Sequence, residues 1–161
     1  MTRGEAVDRW LYRGGHPNRP ARLLNRCWAS LSTKGMAPNR LVTLEVVGRR
    51  SGKAISFPMV VADLDGERYL VAMLGQEANW VANVRAAGGR AAISHGGREE
   101  VSLREVPVGD RAVVLQRYLA CAPAARAHIP VEPNAPLEAF SHLAAQFPVF
   151  RVMPATASRK D

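Results

Sequence analysis

The chain is short of most residues that declare a chemistry by themselves. Only two cysteines occur in 161 residues, Cys27 and Cys121. Neither belongs to a C-x-x-C pair or stands near a histidine cluster, so they read as buried thiols in a reducing cytoplasm and not as a metal knot or disulfide. Four histidines, His16, His95, His128 and His142, are too scattered to give a ligand pair. There is no G-x-S-x-G elbow and no H-E-x-x-H, so the hydrolase constellations are missing. No run of about 18 apolar residues exists to span a membrane. Arg3, Glu5, Asp8, Arg9 and Arg13 interrupt the start, which argues against a secretory signal. Aromatics make up 6% of the chain and are not interleaved with cations, so a base-stacking surface is absent and nucleic acid is not expected as a partner.

Acidic residues are scarce in one region only. Residues 1–60 hold 11 Lys or Arg against 3 acids, whereas the remainder holds 11 against 11, so the whole net charge of +8 sits in the first part. Such an excess suits an anionic ligand or surface. Residues 1–40 form a basic segment in which Leu23, Leu24, Cys27, Trp28 and Leu31 recur at helical spacing. That amphipathic helix, expected over 19–31, suits packing on its own domain and also a peripheral contact with an anionic inner membrane face. The core domain is expected over 41–153, followed by a disordered tail over 154–161.

Within the domain the pattern alternates strands with turn signals. Apolar, β-branched runs are expected as strands over 41–47, 55–64 and 67–73, with Asp65-Gly66 as a tight turn. A helix is expected over 77–87, closed by Gly88-Gly89. Strands at 91–95 and 100–106 flank Gly96-Gly97, a helix runs from an Asp110 N-cap to Ala122, another spans 137–146, and a last strand covers 147–152. These elements predict a mainly β (α+β) fold, a six-stranded antiparallel barrel with flanking helices. Barrels of this size hold flat ligands along one wall or at a subunit boundary, which leaves a homodimer open.

The most informative loop is Gly48-Arg49-Arg50-Ser51-Gly52-Lys53. Gly48 and Gly52 can take φ > 0, turning several N–H groups to one side, and Arg49, Arg50 and Lys53 add charge while Ser51 adds a hydroxyl. Fixed dipoles with guanidinium forks suit a phosphate or carboxylate. It is not a Walker loop, since Lys53 is followed by Ala54 and an extended run. A solvated hairpin tip has the same composition. In Asn79-Trp80-Val81-Ala82-Asn83, Trp80 and Asn83 share one helix face; the pattern reads as a core tryptophan with a capping amide, or as a flat apolar wall with a donor–acceptor amide. Without an acid–base pair, the chemistry points to a cofactor.

Gly48-Arg49-Arg50-Ser51-Gly52, then Pro58, Asp65-Gly66, Gly75 and Asn79-Trp80-x-x-Asn83, together resemble the deazaflavin-dependent nitroreductase family over residues 40–152. The closing Phe147-Pro148-Val149-Phe150-Arg151-Val152 is similar to that family's final strand. The resemblance implies a split β-barrel and the 8-hydroxy-5-deazaflavin coenzyme F-420, with its phosphodiester and oligoglutamate tail. It implies hydride transfer to a small-molecule acceptor such as a quinone, nitroaromatic or enone. Arg49, Arg50, Ser51 and Lys53 would hold the tail. Ile55, Phe57 and Pro58 would flank the ring on one side and Ala72, Met73 and Leu74 on the other, with Trp80 and Asn83 closing the wall. Leu74 stands where relatives carry a lysine or serine, and the tyrosines that relatives place near the C-terminus are missing from 124–146. No catalytic acid is assigned; Tyr118 and His128 are candidates. FMN is the alternative cofactor, and haem or a lipid the alternative ligand, of the same fold. A non-enzymatic basic module on nucleic acid or anionic membrane is the alternative from another class.

Overall fold

Alternation of side chains sets the first strand in the computed structural model, which describes residues 40–155. In β1 (Leu41–Val47) the side chains of Val42, Leu44 and Val46 are buried and Thr43, Glu45 and Val47 face the other way. β2 (Ala54–Val60) pairs with it antiparallel, Leu44 opposite Phe57 and Val46 opposite Ile55. The chain then changes partner. Past Val61, whose N–H donates to the Arg40 carbonyl at 2.8 Å, the extended run becomes β3 (Ala62–Leu64) and pairs with β4 (Glu67–Val71). Asp65 and Gly66, at φ 51° and 78°, form the two-residue turn between them.

β5 (Arg90–Ser94), β6 (Arg98–Glu105) and β7 (Val149–Pro154) complete an antiparallel sheet ordered β2-β1-β5-β6-β7-β4-β3. Its two end strands, β2 and β3, are consecutive pieces of one run, so the sheet curls back toward itself as a split barrel. The expected six strands become seven because that run breaks at Val61. The fourth strand also stops at Val71 instead of reaching residue 73. The helix expected over 19–31 and residues 156–161 of the expected tail lie outside the described residues.

α1 (Asn79–Ala86) lays one face on the barrel's interior cluster, burying Trp80, Val81, Asn83 and Val84 and leaving Asn79, Arg85 and Ala86 exposed. Trp80 packs its ring 5.4 Å from that of Phe150, among Leu44, Val46, Leu70, Ile93 and Leu103. Gly88 and Gly89, at φ 64° and 84°, end the helix: Gly88 N–H reaches the Arg85 carbonyl at 3.2 Å and Gly89 N–H the Val84 carbonyl at 2.9 Å. A Cβ on Gly89 would press into the Leu103 carbonyl, so glycine is needed there twice over.

A second apolar layer lies outside the barrel. α2 (Arg111–Cys121) packs on β3, and α3 (Leu137–Leu143) packs on α2, burying Val114, Leu115, Tyr118, Leu119 and Phe140. Asp110 occupies the N-cap position of α2 but makes no side-chain capping bond. The chain enters through a 3-10 turn, Val108–Asp110, which holds Asp110 at φ −103°, ψ 0° instead of the extended geometry a capping side chain uses. No helix among the described residues is long and apolar enough to cross a membrane.

Candidate cofactor site

The six-residue loop closes on itself. Gly48 N–H donates to the Lys53 carbonyl at 2.8 Å, Gly52 N–H to the Gly48 carbonyl at 2.9 Å, and Lys53 N–H to Ser51 Oγ at 3.2 Å. Of the two glycines only Gly52 is at positive φ, 66°. Gly48 serves by its size: a Cβ there would lie 2.7 Å from both Ile55 Cδ1 and Ser51 Oγ. The loop is fixed to α1 by one buried atom. Asn83 Oδ1 accepts the Arg49 N–H at 3.1 Å and the Arg49 guanidinium at 2.9 Å. Asn83 is 2% exposed, so this amide is spoken for by the loop.

What the loop turns outward is cationic. Arg49, Arg50, Ser51 and Lys53 are exposed, and among the described residues none of the three cations is paired with a carboxylate. The N–H groups of Arg50 and Ser51 likewise meet no acceptor among the described residues. Beside this tip β2 is the edge strand of the sheet, which is why Pro58, lacking an N–H, is tolerated in it. Ile55 and Phe57 share the inward face with Met59, yet they are only half-buried whereas their partners Val46 and Leu44 are buried. Pro58, by strand alternation, faces the other side.

The opposite wall is the segment after β4. Continued, the β3–β4 pairing would run residues 72–75 alongside β2, but the strand ends at Val71 and residues 72–75 turn instead, Gly75 N–H donating to the Ala72 carbonyl at 3.0 Å with Gly75 at φ 88°. That departure is the split. Ala72 is buried in the interior cluster, Met73 is half-buried and Leu74 is 60% exposed. Trp80 lies behind, as a core residue of that cluster. The set fits a flat apolar ring joined to an anionic tail: half-buried aliphatic and aromatic carbon beside exposed guanidinium, ammonium and N–H donors.

The two candidate acids are elsewhere. Tyr118 lies in the outer helical layer, 4% exposed, where burial pushes its phenol well above its ordinary value. His128 is exposed beyond the 3-10 turn Pro123–Ala127. Among the described residues no group of three or more metal-ligating side chains forms. The sequence reading missed Gln76, Arg85, Glu105 and Arg111, which contact one another across four segments; no spacing along the chain signals such partners.

A family model described as F420H(2)-dependent quinone reductase matches residues 26–128, a span that includes the loop, β2 and α1. Among solved structures, that of an F420-H2 dependent reductase (FDR-A) is similar over 73% of this chain and 96% of its own, with TM-score 0.50 and 18% identity. One described as a domain-swapped dimer is similar over 81% of this chain and 94% of its own, with TM-score 0.52 and 17% identity. The protein Atu2129 of Agrobacterium tumefaciens strain C58 is similar over 70% of this chain and 47% of its own, with TM-score 0.51 and 13% identity. These likenesses carry the split-barrel fold. No curated protein matches the chain. By the family model the chain belongs to the F420H(2)-dependent quinone reductase family: it is a deazaflavin-dependent oxidoreductase whose cofactor is coenzyme F420.

Proposed function

We propose that coenzyme F420 binds in the split between β2 and residues 72–75, with its tail on the 48–53 loop, and that the acceptor is a quinone. One observation carries this reading: a loop of exposed cations and N–H donors adjoins the only half-buried stretch of β2. On this reading Arg49, Arg50, Ser51 and Lys53 engage the phosphodiester and glutamate carboxylates. Ile55 and Phe57 flank the ring from β2, with Pro58 between Phe57 and Met59 facing away from it, and Ala72, Met73 and Leu74 flank it from the other wall. Trp80 backs the wall from the interior, and Asn83 acts through Arg49, holding the loop in its binding form.

Hydride donation is the chemistry the bound coenzyme supplies. The protein's part is orientation and exclusion of water, for which half-buried Ile55 and Phe57 are suited. With Tyr118 in the outer layer, the proton is assigned to solvent. An apolar acceptor is favoured by Leu74, an exposed leucine at the lip.

Titration with oxidised F420 and with FMN in parallel, followed by tryptophan fluorescence, tests the cofactor site. Salt-sensitive quenching by F420 alone is expected, whereas a preference for FMN would reject the assignment of the site. The acceptor is tested by anaerobic oxidation of reduced F420 with menadione, a nitroimidazole and cyclohexenone. Menadione should be fastest; turnover of the nitro compound or enone without the quinone would refute that half.

A further inference from the structure

The segment that forms the second wall is held from outside the cleft by groups the proposed reaction does not use. Gln76 Nε2 donates to the Ala145 carbonyl at 2.8 Å, and its Oε1 accepts from Arg85 Nη2 at 3.1 Å. Arg85 forks Glu105 through Nε at 3.0 Å and Nη2 at 2.6 Å. Glu105 also accepts from Arg111 at 3.2 Å. Arg111 is 4% exposed and donates to the carbonyls of Val106 at 2.8 Å, Ala144 at 3.1 Å and Phe147 at 3.5 Å.

Main-chain contacts tighten the same strap. Ala72 N–H donates to the Pro148 carbonyl at 2.9 Å, and a Cβ on Gly75 would stand 3.4 Å from the Gln146 carbonyl. Residues 72–76 are therefore gripped at both ends by the turn at 144–148, and Arg111 ties that turn to the start of α2. Between the grips stand Met73 and the exposed Leu74. A surface loop ending in an exposed leucine would ordinarily wander. A wall that wanders lowers affinity, because binding must then order it.

We infer that Gln76 and Arg85 are positioning residues for the coenzyme: they fix the width of the split between β2 and residues 72–75 without facing it. The inference rests on the placement of the coenzyme proposed above. A merely structural role makes a different prediction. Arg85 and Glu105 are 43% and 32% exposed, and ion pairs that open to solvent contribute little to global stability. Their loss should therefore loosen the loop while leaving the fold almost untouched.

The test uses Gln76→Ala and Arg85→Ala, with Arg151→Ala as a control that breaks an exposed pair to Glu67 on another face. For the first two, melting temperature should barely move and amide exchange at Gly75 should quicken. The Kd for oxidised F420 and the KM for the reduced form should each rise about fivefold, the factor implied by one hydrogen bond of ordinary net strength. The kcat should stay within about twofold, since bound coenzyme restores the wall. Gln76→Glu, which keeps an acceptor for Arg85 but cannot donate to Ala145, should fall between. Arg151→Ala should leave exchange and affinity unchanged. Faster exchange with unaltered Kd would overturn the inference, as would unaltered exchange, or a lower kcat at constant KM. Failure of the unsubstituted protein to bind F420 would instead remove the cofactor site on which the inference stands.

Discussion

Asn83 is 2% exposed, and its Oδ1 takes two hydrogens from a single residue, the main-chain N–H and the guanidinium of Arg49. Replacing it with alanine leaves both donors to find water in a half-buried place. Asn83→Ala should lower stability to urea by about 1–3 kcal/mol and weaken coenzyme binding as the loop loosens. Unchanged binding in a folded Asn83→Ala protein would detach the loop from the site. Arg50 makes the complementary case, being exposed with no carboxylate partner among the described residues. Arg50→Glu should raise the Kd for F420 about tenfold or more and flatten its salt dependence. Arg126→Glu, an equal charge change on the outer helical layer, is the control and should do neither; titrations at two ionic strengths compare them.

Among the elements, the join of α1, β6 and α2 is where acid should act. The Arg85 hydrogen bond, aided by the charge of Arg111, holds the Glu105 carboxyl below its ordinary value of 4.5. A carboxyl depressed in the folded state adds stability above its unfolded value, and that stability is lost as pH falls through the folded value. The exposed Arg85 contributes little to global stability, but Arg111 is buried against the same carboxylate, so melting temperature should drop between neutral pH and about pH 3 more in the natural chain than in Glu105→Gln. Equal drops would show that the Glu105–Arg111 contact does not contribute to acid lability. The elements themselves were legible because their signals are local: the period-two burial of 41–47, the left-handed turn at Asp65-Gly66, the glycine pair after α1. The basic loop was legible too, as six consecutive residues. Less so were features set by distant partners. The break at Val61 depends on which neighbours the strand meets, and the Asp110 cap fails because of a preceding 3-10 turn. Trp80, for which spacing left a ligand wall and a core position both open, packs inside against Phe150, since burying its ring in the barrel outweighs displaying it.

Taken together, the described residues form a sheet whose edges are two pieces of one strand run, and β7 is the piece that spans between β6 and β4. Remove β7 and the sheet falls into β2-β1-β5-β6 and β4-β3, joined by chain only, through Val61 and through the 72–89 connection that carries α1. The hairpins β1–β2, β3–β4 and β5–β6 form between neighbours in sequence, whereas β4 meets β7 across pairs such as Arg68 and Val152. Such distant pairings are slow to form. A chain ending at residue 148 should therefore expose apolar interior, binding a hydrophobic dye and lacking cooperative melting; a cooperative transition from that fragment would contradict this. The consequence extends to birth on the ribosome. Every other described strand emerges before β7, so a nascent chain must carry its open half-barrel, unable to close, until β7 leaves the tunnel. Its exposure to chaperones and to sister chains is thus fixed by gene order, and slowing translation would lengthen it.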